Sequence, residues 1–244
     1  MVHWISCWNQ LCHREKIEEE KVMYSIAIDG PAGAGKSTIA KRIAKELSFI
    51  YVDTGAMYRA MALYFLRREI SPDHIEEITA LCPQIHVTIE YENGEQQVIL
   101  NGENVNGYIR KEEVGNMASK TSSIPAVRAA LLDLQRDMAK TADILMDGRD
   151  IGTNVLPNAD LKIYLTASSK VRAKRRYDEL TAKGVPCDLE KIEKDIIIRD
   201  EQDMNREIAP LKKAEDAILV DSSDMTIDEV VETIKKAFQK KCSK

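Results

Sequence analysis

Absences narrow the field first. No Cys-x-x-Cys pair occurs in the 244 residues, and the five cysteines, Cys7, Cys12, Cys82, Cys187 and Cys242, are odd in number and scattered. That pattern excludes a disulfide framework and points to a reducing cytoplasm. Cys7, Cys12 and His13, with His3 nearby, follow no zinc-ligand spacing. No apolar run approaches the roughly 18 residues of a membrane span. Basic charge is scarce: 35 Lys and Arg face 40 Asp and Glu, a formal net charge of -5, which argues against a general nucleic-acid binder. There is no internal repeat, no low-complexity tract and no Asn-Lys-x-Asp segment of the kind GTPase switches use to read guanine. What remains is 44% hydrophobic and 31% charged, the balance of a folded globular chain. Its length suits one α/β domain with an elaboration, or two small domains.

Residues 1–22 differ in character from the rest of the chain. They lack the layout of a signal peptide, and 14–21 is a charge run that reads as a solvated helix or disorder. The expectation is that the functional chain starts near Met23, the leader being accessory. From there short apolar, β-branched runs recur at 25–29, 49–53, 144–147, 161–166 and 217–221, nearly continuous in apolar character, as strands covered on both faces should be. Helical patterns fill the gaps at 36–47, 56–69, 127–140, 170–183 and 189–206, and 227–240 closes the chain. Alternating βα units predict a five-stranded parallel, doubly wound sheet flanked by helices. One segment breaks the rhythm: 86–91 and 97–101 alternate, with Asn93-Gly94 between them, a small antiparallel hairpin set into a parallel fold. It is either surface decoration or a mobile insert that closes over a substrate.

Gly30-Pro31-Ala32-Gly33-Ala34-Gly35-Lys36-Ser37 fits G-x-x-x-x-G-K-[ST] at every fixed position, after a strand and opening a helix. Glycines let backbone N–H groups converge on phosphates, and the helix N-terminus adds partial positive charge. Lys36 puts an ammonium against the β/γ-phosphates, and the Ser37 hydroxyl is suited to Mg²⁺. Such a cradle serves switches, motors and kinases alike, so the acceptor side must discriminate.

In a doubly wound sheet ligands collect at the carboxyl ends of strands. Asp53 and Thr54 stand at one such end and also suit a helix cap; Arg59 is about a turn further on. Asp147-Gly148-Arg149-Asp150 stands at another. Arg149 and Asp150 are either an ion pair or a phosphate contact and an acceptor for a base amine, with Asp147 placed to orient Mg²⁺ through water. The helix at 170–183 carries six cations against Asp178 and Glu179. Arg172, Arg175 and Arg176 share one face at i, i+3, i+4, either as a solvated surface or as a lid supplying cations to a transferring phosphoryl group. Arg199, Asp203 and Arg206 at i, i+4, i+7 form either an intrahelical ladder or a grip on a phosphate–sugar unit.

Together these segments resemble the bacterial cytidylate kinases, P-loop kinases of nucleoside monophosphates. The likeness runs from about residue 23 to the C-terminus. It is carried by 30–37, 53–59 (DTGAMYR), Ser119 with 125–128, 148–153 (GRDIGT), 167–176, and 199–206 with Pro210. Residues 1–22 have no counterpart in it. The P-loop alone marks a superfamily; the DTGAMYR and GRDIGT segments in this order are far more specific.

The resemblance implies a P-loop NTPase fold over 23–244, with a monophosphate-binding insert at 84–114 and a lid at 168–188. It implies transfer of the γ-phosphoryl group of ATP to CMP or dCMP with Mg²⁺, by a cytoplasmic monomer that engages neither nucleic acid nor membrane. Residues 30–38, through Thr38, would bind ATP, and Ser37 would help hold Mg²⁺. Asp53, Thr54 (Ser in some members), Arg59, Arg149 and Arg199 would surround the acceptor phosphate. Ser119, Arg128 and Asp150 would read cytosine. Asp203 would contact the sugar and Arg206 approach the phosphates, while Arg172, Arg175 and Arg176 would act from the lid. The base assignment makes chemical sense: a carboxylate at Asp150 accepts from the N4 amine of cytosine, whereas uracil would present O4, acceptor to acceptor. A kinase of another small acceptor, or an ATP-dependent switch without an acceptor, are the rival readings.

Overall fold

The computed structural model describes residues 23–242; the leader and the Cys7, Cys12 and His13 group lie outside the described residues. Five parallel strands form the central sheet: β1 (Ser25–Asp29), β2 (Ile50–Asp53), β6 (Ile144–Gly148), β7 (Leu161–Thr166) and β8 (Ile218–Asp221), in the order β2-β6-β1-β7-β8. β1 lies at the centre, with Asp29 opposite Gly148 on β6 and Tyr164 on β7. The chain leaves β1 toward one edge of the sheet and later crosses to the other. The carboxyl ends of β1, β2 and β6 therefore open onto one crevice, where such sheets bind ligands.

Both faces are covered. Alternate residues of β1 point to opposite sides, so Ala27 joins one apolar cluster while Ile26 and Ile28 join the other. α1 (Lys36–Leu47) and α8 (Ile227–Cys242) cover the second side, where Phe238 meets Tyr24 and Phe49 edge-on at 5.6 and 5.5 Å. α2 (Thr54–Leu66) and α5 (Pro125–Thr141) cover the first. α2 begins two residues earlier than the sequence pattern suggests, because Asp53 caps it by accepting from Ala56 N at 3.0 Å.

Two helices give no clear periodic signal in the sequence: α3 (Ile75–Leu81) and α4 (Glu112–Thr121). The first is under two turns long, and the second contains Gly115, Asn116 and Ser119, all poor helix formers, in its middle. The hairpin is present as β3 (Val87–Glu92) and β4 (Glu95–Leu100), joined at Asn93 and Gly94 with φ of 52° and 79°. Positive φ at both central residues is the turn that matches strand twist. A two-residue strand, β5 (Glu103–Asn104), adds to its edge. α6 (Ser169–Ala182) and α7 (Leu189–Asn205) pack together beyond the P-loop.

Candidate active site

The P-loop wraps from β1 into α1. Gly30 has φ +151°, and a Cβ there would lie 1.9 Å from the carbonyl of Leu165, so no side chain fits. Gly35 caps α1 without a side-chain bond, leaving the first N–H groups of the helix for an anion. Lys36 is buried, and its Nζ donates to the carbonyls of Gly30 and Pro31 at 2.8 Å each. Burial, then the nearby Arg149, pulls its ammonium below the ordinary lysine range, so an anion in the cradle would be strongly favoured. Ser37 Oγ donates to Asp147 Oδ2 at 2.8 Å, and the Tyr51 hydroxyl donates to Asp147 Oδ1 at 3.1 Å. Burial, then Asp53, raises the Asp147 carboxyl.

Across the crevice Arg59, Arg149, Arg199 and Arg206 converge, brought together from α2, the end of β6, and α7 with its flank. Burial, then Arg199 and Arg110, disfavours the charged form of Arg59. Burial, then Arg149, does the same to Arg199. Arg199 Nε and Arg206 Nη2 are buried and have no hydrogen-bond partner. Arg149 Nε donates to Asp203 Oδ2 at 2.9 Å, and Arg206 stands 3.8 Å from Asp203 Oδ1. Burial raises the Asp203 carboxyl, but Arg149, Arg206 and Arg199 outweigh it and hold it below the usual range. Asp203 thus pairs chiefly outside its own helix, not along an intrahelical ladder. Gly115 on α4 makes room for Arg59, since a Cβ there would lie 2.8 Å from its Nη1.

Deeper in the crevice Arg128 and Asp150 form a buried ion pair. Arg128 also donates to Ser122 O at 3.2 Å and lies over the Tyr58 ring at 5.5 Å, while Asn154 Nδ2 donates to Asp150 Oδ2 at 3.1 Å. Ser119 lines the same end of the cleft, and Thr54 Oγ1 donates to Asp147 O at 2.8 Å. The cleft has a volume of about 1310 Å³, above the range usual for one drug-sized ligand and roomy enough for two nucleotides.

The three arginines of α6 diverge despite their shared face. Arg172 is buried, pairs with Asp200 through both oxygens, and donates to the carbonyls of Ala32 and Ala167 at 2.9 and 2.8 Å. Arg175 reaches the loop after β8, donating to Ser222 O at 2.8 Å, and Arg176 pairs with Glu179 at 2.9 Å. Only Arg175 and Arg176 are exposed.

Several residues in or bordering the cleft carry no signal in the sequence. Arg110 pairs with Asp53 Oδ2 at 2.8 Å and lines the cleft. Gln96 grips the backbone of Asp53 in both directions, accepting from its N at 2.8 Å and donating to its O at 3.2 Å. The Tyr91 hydroxyl donates to Tyr51 O at 3.0 Å. The hairpin therefore supplies side chains as partners for the edge of β2, a contact between residues about 40 apart that no local pattern announces.

Comparison with known proteins is consistent with this geometry. A family model described as Cytidylate kinase matches residues 26–240. Curated proteins named Cytidylate kinase are similar over most of their length. That of Geobacillus sp. (strain WCH70) is 50% identical over 209 residues, covering 86% of this chain and 93% of that one. That of Caldicellulosiruptor bescii is 49% identical over 216 residues, covering 88% and 96%. That of Lactobacillus johnsonii is 49% identical over 221 residues, covering 90% and 95%.

Proposed function

The chain belongs to the cytidylate kinase family, and from that membership we propose how its cleft divides the work between two nucleotides. The reaction passes the γ-phosphoryl group of ATP to the phosphate of CMP or dCMP, leaving ADP and CDP or dCDP. What carries the division is an excess of cation over the carboxylate of Asp203: Arg59, Arg149, Arg199 and Arg206 converge there, and buried N–H groups of Arg199 and Arg206 have no partner. A second phosphate, facing the one in the P-loop, satisfies all of them.

ATP occupies residues 30–38, with Lys36 turning from its own loop carbonyls to the β/γ-phosphates. Arg59, Arg149 and Arg199 clamp the acceptor phosphate, with Asp53 and Thr54 at its edge. Asp203 accepts from the sugar, and Arg206 neutralises charge between the two phosphates. Arg128 donates toward N3 or O2 of cytosine, Asp150 accepts from N4, and Ser119 closes that end. In the pose where cytosine offers N4 to Asp150 and N3 to Arg128, uracil would set O4 against the carboxylate and N3–H against the guanidinium; an unmet buried pair costs roughly 1–3 kcal/mol. The acceptor phosphate is already an anion near neutral pH, so the residues position and neutralise and do not need to remove a proton.

Among the described residues no group of three or more His, Cys, Asp or Glu could cage a metal. Ser37 and Asp147 do fit a hard cation that keeps waters and takes phosphate oxygens, and would hold Mg²⁺ there. When bound, Mg²⁺ supplies charge neutralisation on the β- and γ-phosphates. Residues 84–114 act as the monophosphate-binding insert, and 168–188 as a lid that excludes water. In that lid Arg175 and Arg176 reach phosphate, while Arg172 positions the lid base on the P-loop. The enzyme works as a monomer in the cytoplasm on small molecules; no helix among the described residues is long and apolar enough to cross a membrane.

Release of ADP measured with CMP, dCMP, UMP and AMP in turn tests this. CMP and dCMP are turned over best, UMP on the order of tenfold worse. Lys36→Ala loses on the order of 10³ in rate. Slow ATP hydrolysis indifferent to every monophosphate would instead mark a switch and overturn the assignment.

A further inference from the structure

Asp29 ends β1 and is followed at once by Gly30 of the P-loop. It sits in the middle of the sheet, is 5% exposed and does not line the cleft. Its two oxygens are nonetheless committed to the other side of the site. Oδ1 accepts from Ile151 N and Oδ2 from Gly152 N, each at 2.7 Å. Those N–H groups open the wide turn Ile151–Val155, which comes directly after Arg149 and Asp150. The turn is closed on the carbonyl of Asp150, which accepts from Asn154 N at 2.9 Å and Val155 N at 3.2 Å. Gly152 packs closely between β7 and Asp29, where an added Cβ would be 3.1 Å from Lys162 Cδ and 3.4 Å from Asp29 Oδ2.

A carboxylate is the group this geometry requires. Two converging N–H donors need two acceptor oxygens on one short side chain. Asparagine offers one oxygen and would set its NH₂ against the second N–H. Burial pushes the Asp29 carboxyl up to about 6, while the two N–H groups and Lys36 pull the other way and Asp150 adds to the rise. The ion is therefore kept near neutral pH at a cost that the backbone bonds only partly offset.

We infer that Asp29 is a positioning residue for the acceptor: it fixes the turn that aims Arg149 and Asp150, and ties that turn to the root of the P-loop. This deepens the proposed function and rests on it, since it takes Asp150 as a base reader and Arg149 as a phosphate contact. It makes one buried carboxylate the common anchor of donor cradle and acceptor reader. A shift of the turn then moves the base-reading carboxylate without touching ATP.

The test compares Asp29→Asn, Gly152→Ala and Asp150→Asn in one steady-state assay with CMP, UMP and ATP varied, alongside thermal melts. Asp29→Asn is expected to raise KM for CMP about tenfold and to erode the CMP/UMP ratio of kcat/KM by about as much, the effect of roughly one lost hydrogen bond. KM for ATP stays within about threefold, since the cradle's own contacts are retained. Gly152→Ala crowds the same turn against Lys162 and the Asp29 carboxylate while keeping that carboxylate in place, and is expected to show the same split if Asp29→Asn does not fold. A lower melting temperature with unchanged CMP/UMP ratio and KM in both variants, while Asp150→Asn loses the ratio, would overturn the inference and leave the base reader standing. If Asp150→Asn itself keeps the ratio, the base-reader assignment fails. The role of Asp29 is then judged on KM for CMP against KM for ATP, and equal rises in the two would sink it.

Discussion

Arg199 and Arg206 each keep a buried N–H group without a partner, and burial, then neighbouring guanidiniums, disfavours the charge on Arg59 and Arg199. A protein rarely tolerates such a cluster except where charge is to be received. On the proposed assignment, binding energy for an acceptor phosphate is stored as unmet donors and mutual repulsion. Small displacements of one guanidinium should act on acceptor affinity more than on stability. Gly115 offers the cleanest probe, because the atom its Cβ would meet, Arg59 Nη1 at 2.8 Å, is the far end of a flexible side chain. Gly115→Ala is expected to raise KM for CMP about tenfold, one lost charge-assisted bond, while the melting temperature holds or rises with the better helix former. An unchanged KM would show that Arg59 does not bear on the acceptor. The arginines themselves are legible in the sequence, since each stands just past a strand end or at helical spacing. Arg110, Gln96 and Asp29 are not, because what distinguishes them is a partner 43 to 123 residues away.

At the scale of elements, helix periodicity is a sound guide to which arginines share a face and a poor one to what they touch. Arg172, Arg175 and Arg176 lie within about two turns of α6, yet one enters the α6–α7 interface, one the loop after β8, and one solvent. Neighbouring elements decide that, and their positions are not written in the spacing. Arg172 with Asp200 ties α6 and α7 to the P-loop carbonyl of Ala32. Asp200→Asn leaves that guanidinium poorly paired, at an expected cost of about 3 kcal/mol in denaturant or thermal unfolding. Arg172→Met with Asp200→Leu should recover most of that stability, as apolar pairs often replace buried ion pairs, but not the donor to Ala32. KM for ATP should therefore be raised in the double variant even where stability is recovered. Recovered stability with an unchanged KM for ATP would mean that the pair serves only to join two helices.

For the whole molecule, acid titration reports on the sheet's centre. Burial raises the carboxyls of both Asp29 and Asp147, at the carboxyl ends of adjacent strands. Asp29 moves from an ordinary 3.8 to about 6. Between those limits the unfolded chain has released this proton and the native chain has not. Its contribution to stability is therefore full below the unfolded value and is lost as pH rises through the folded one. The shift corresponds to about 3 kcal/mol. Asp29→Asn removes that slope, so its melting temperature should gain on the parent's between pH 4 and about 6.5. A difference that stays flat across that window would mean that Asp29 is not buried as an acid in the native fold.

By itself the sequence determined the kind of machine: a strand–glycine loop–lysine–helix unit, alternating βα segments around it, a hairpin turn at Asn93-Gly94, and arginines at successive strand ends. These are local matters of backbone conformation, periodicity and charge, readable within a dozen residues. Only the tertiary structure decided the pairings: Arg128 with Asp150, Arg149 with Asp203, Arg172 with Asp200, and Asp29 with the turn at Ile151. Each joins groups from different elements. Which cation finds which carboxylate is set by how strands register and helices pack over the sheet, not by spacing along the chain.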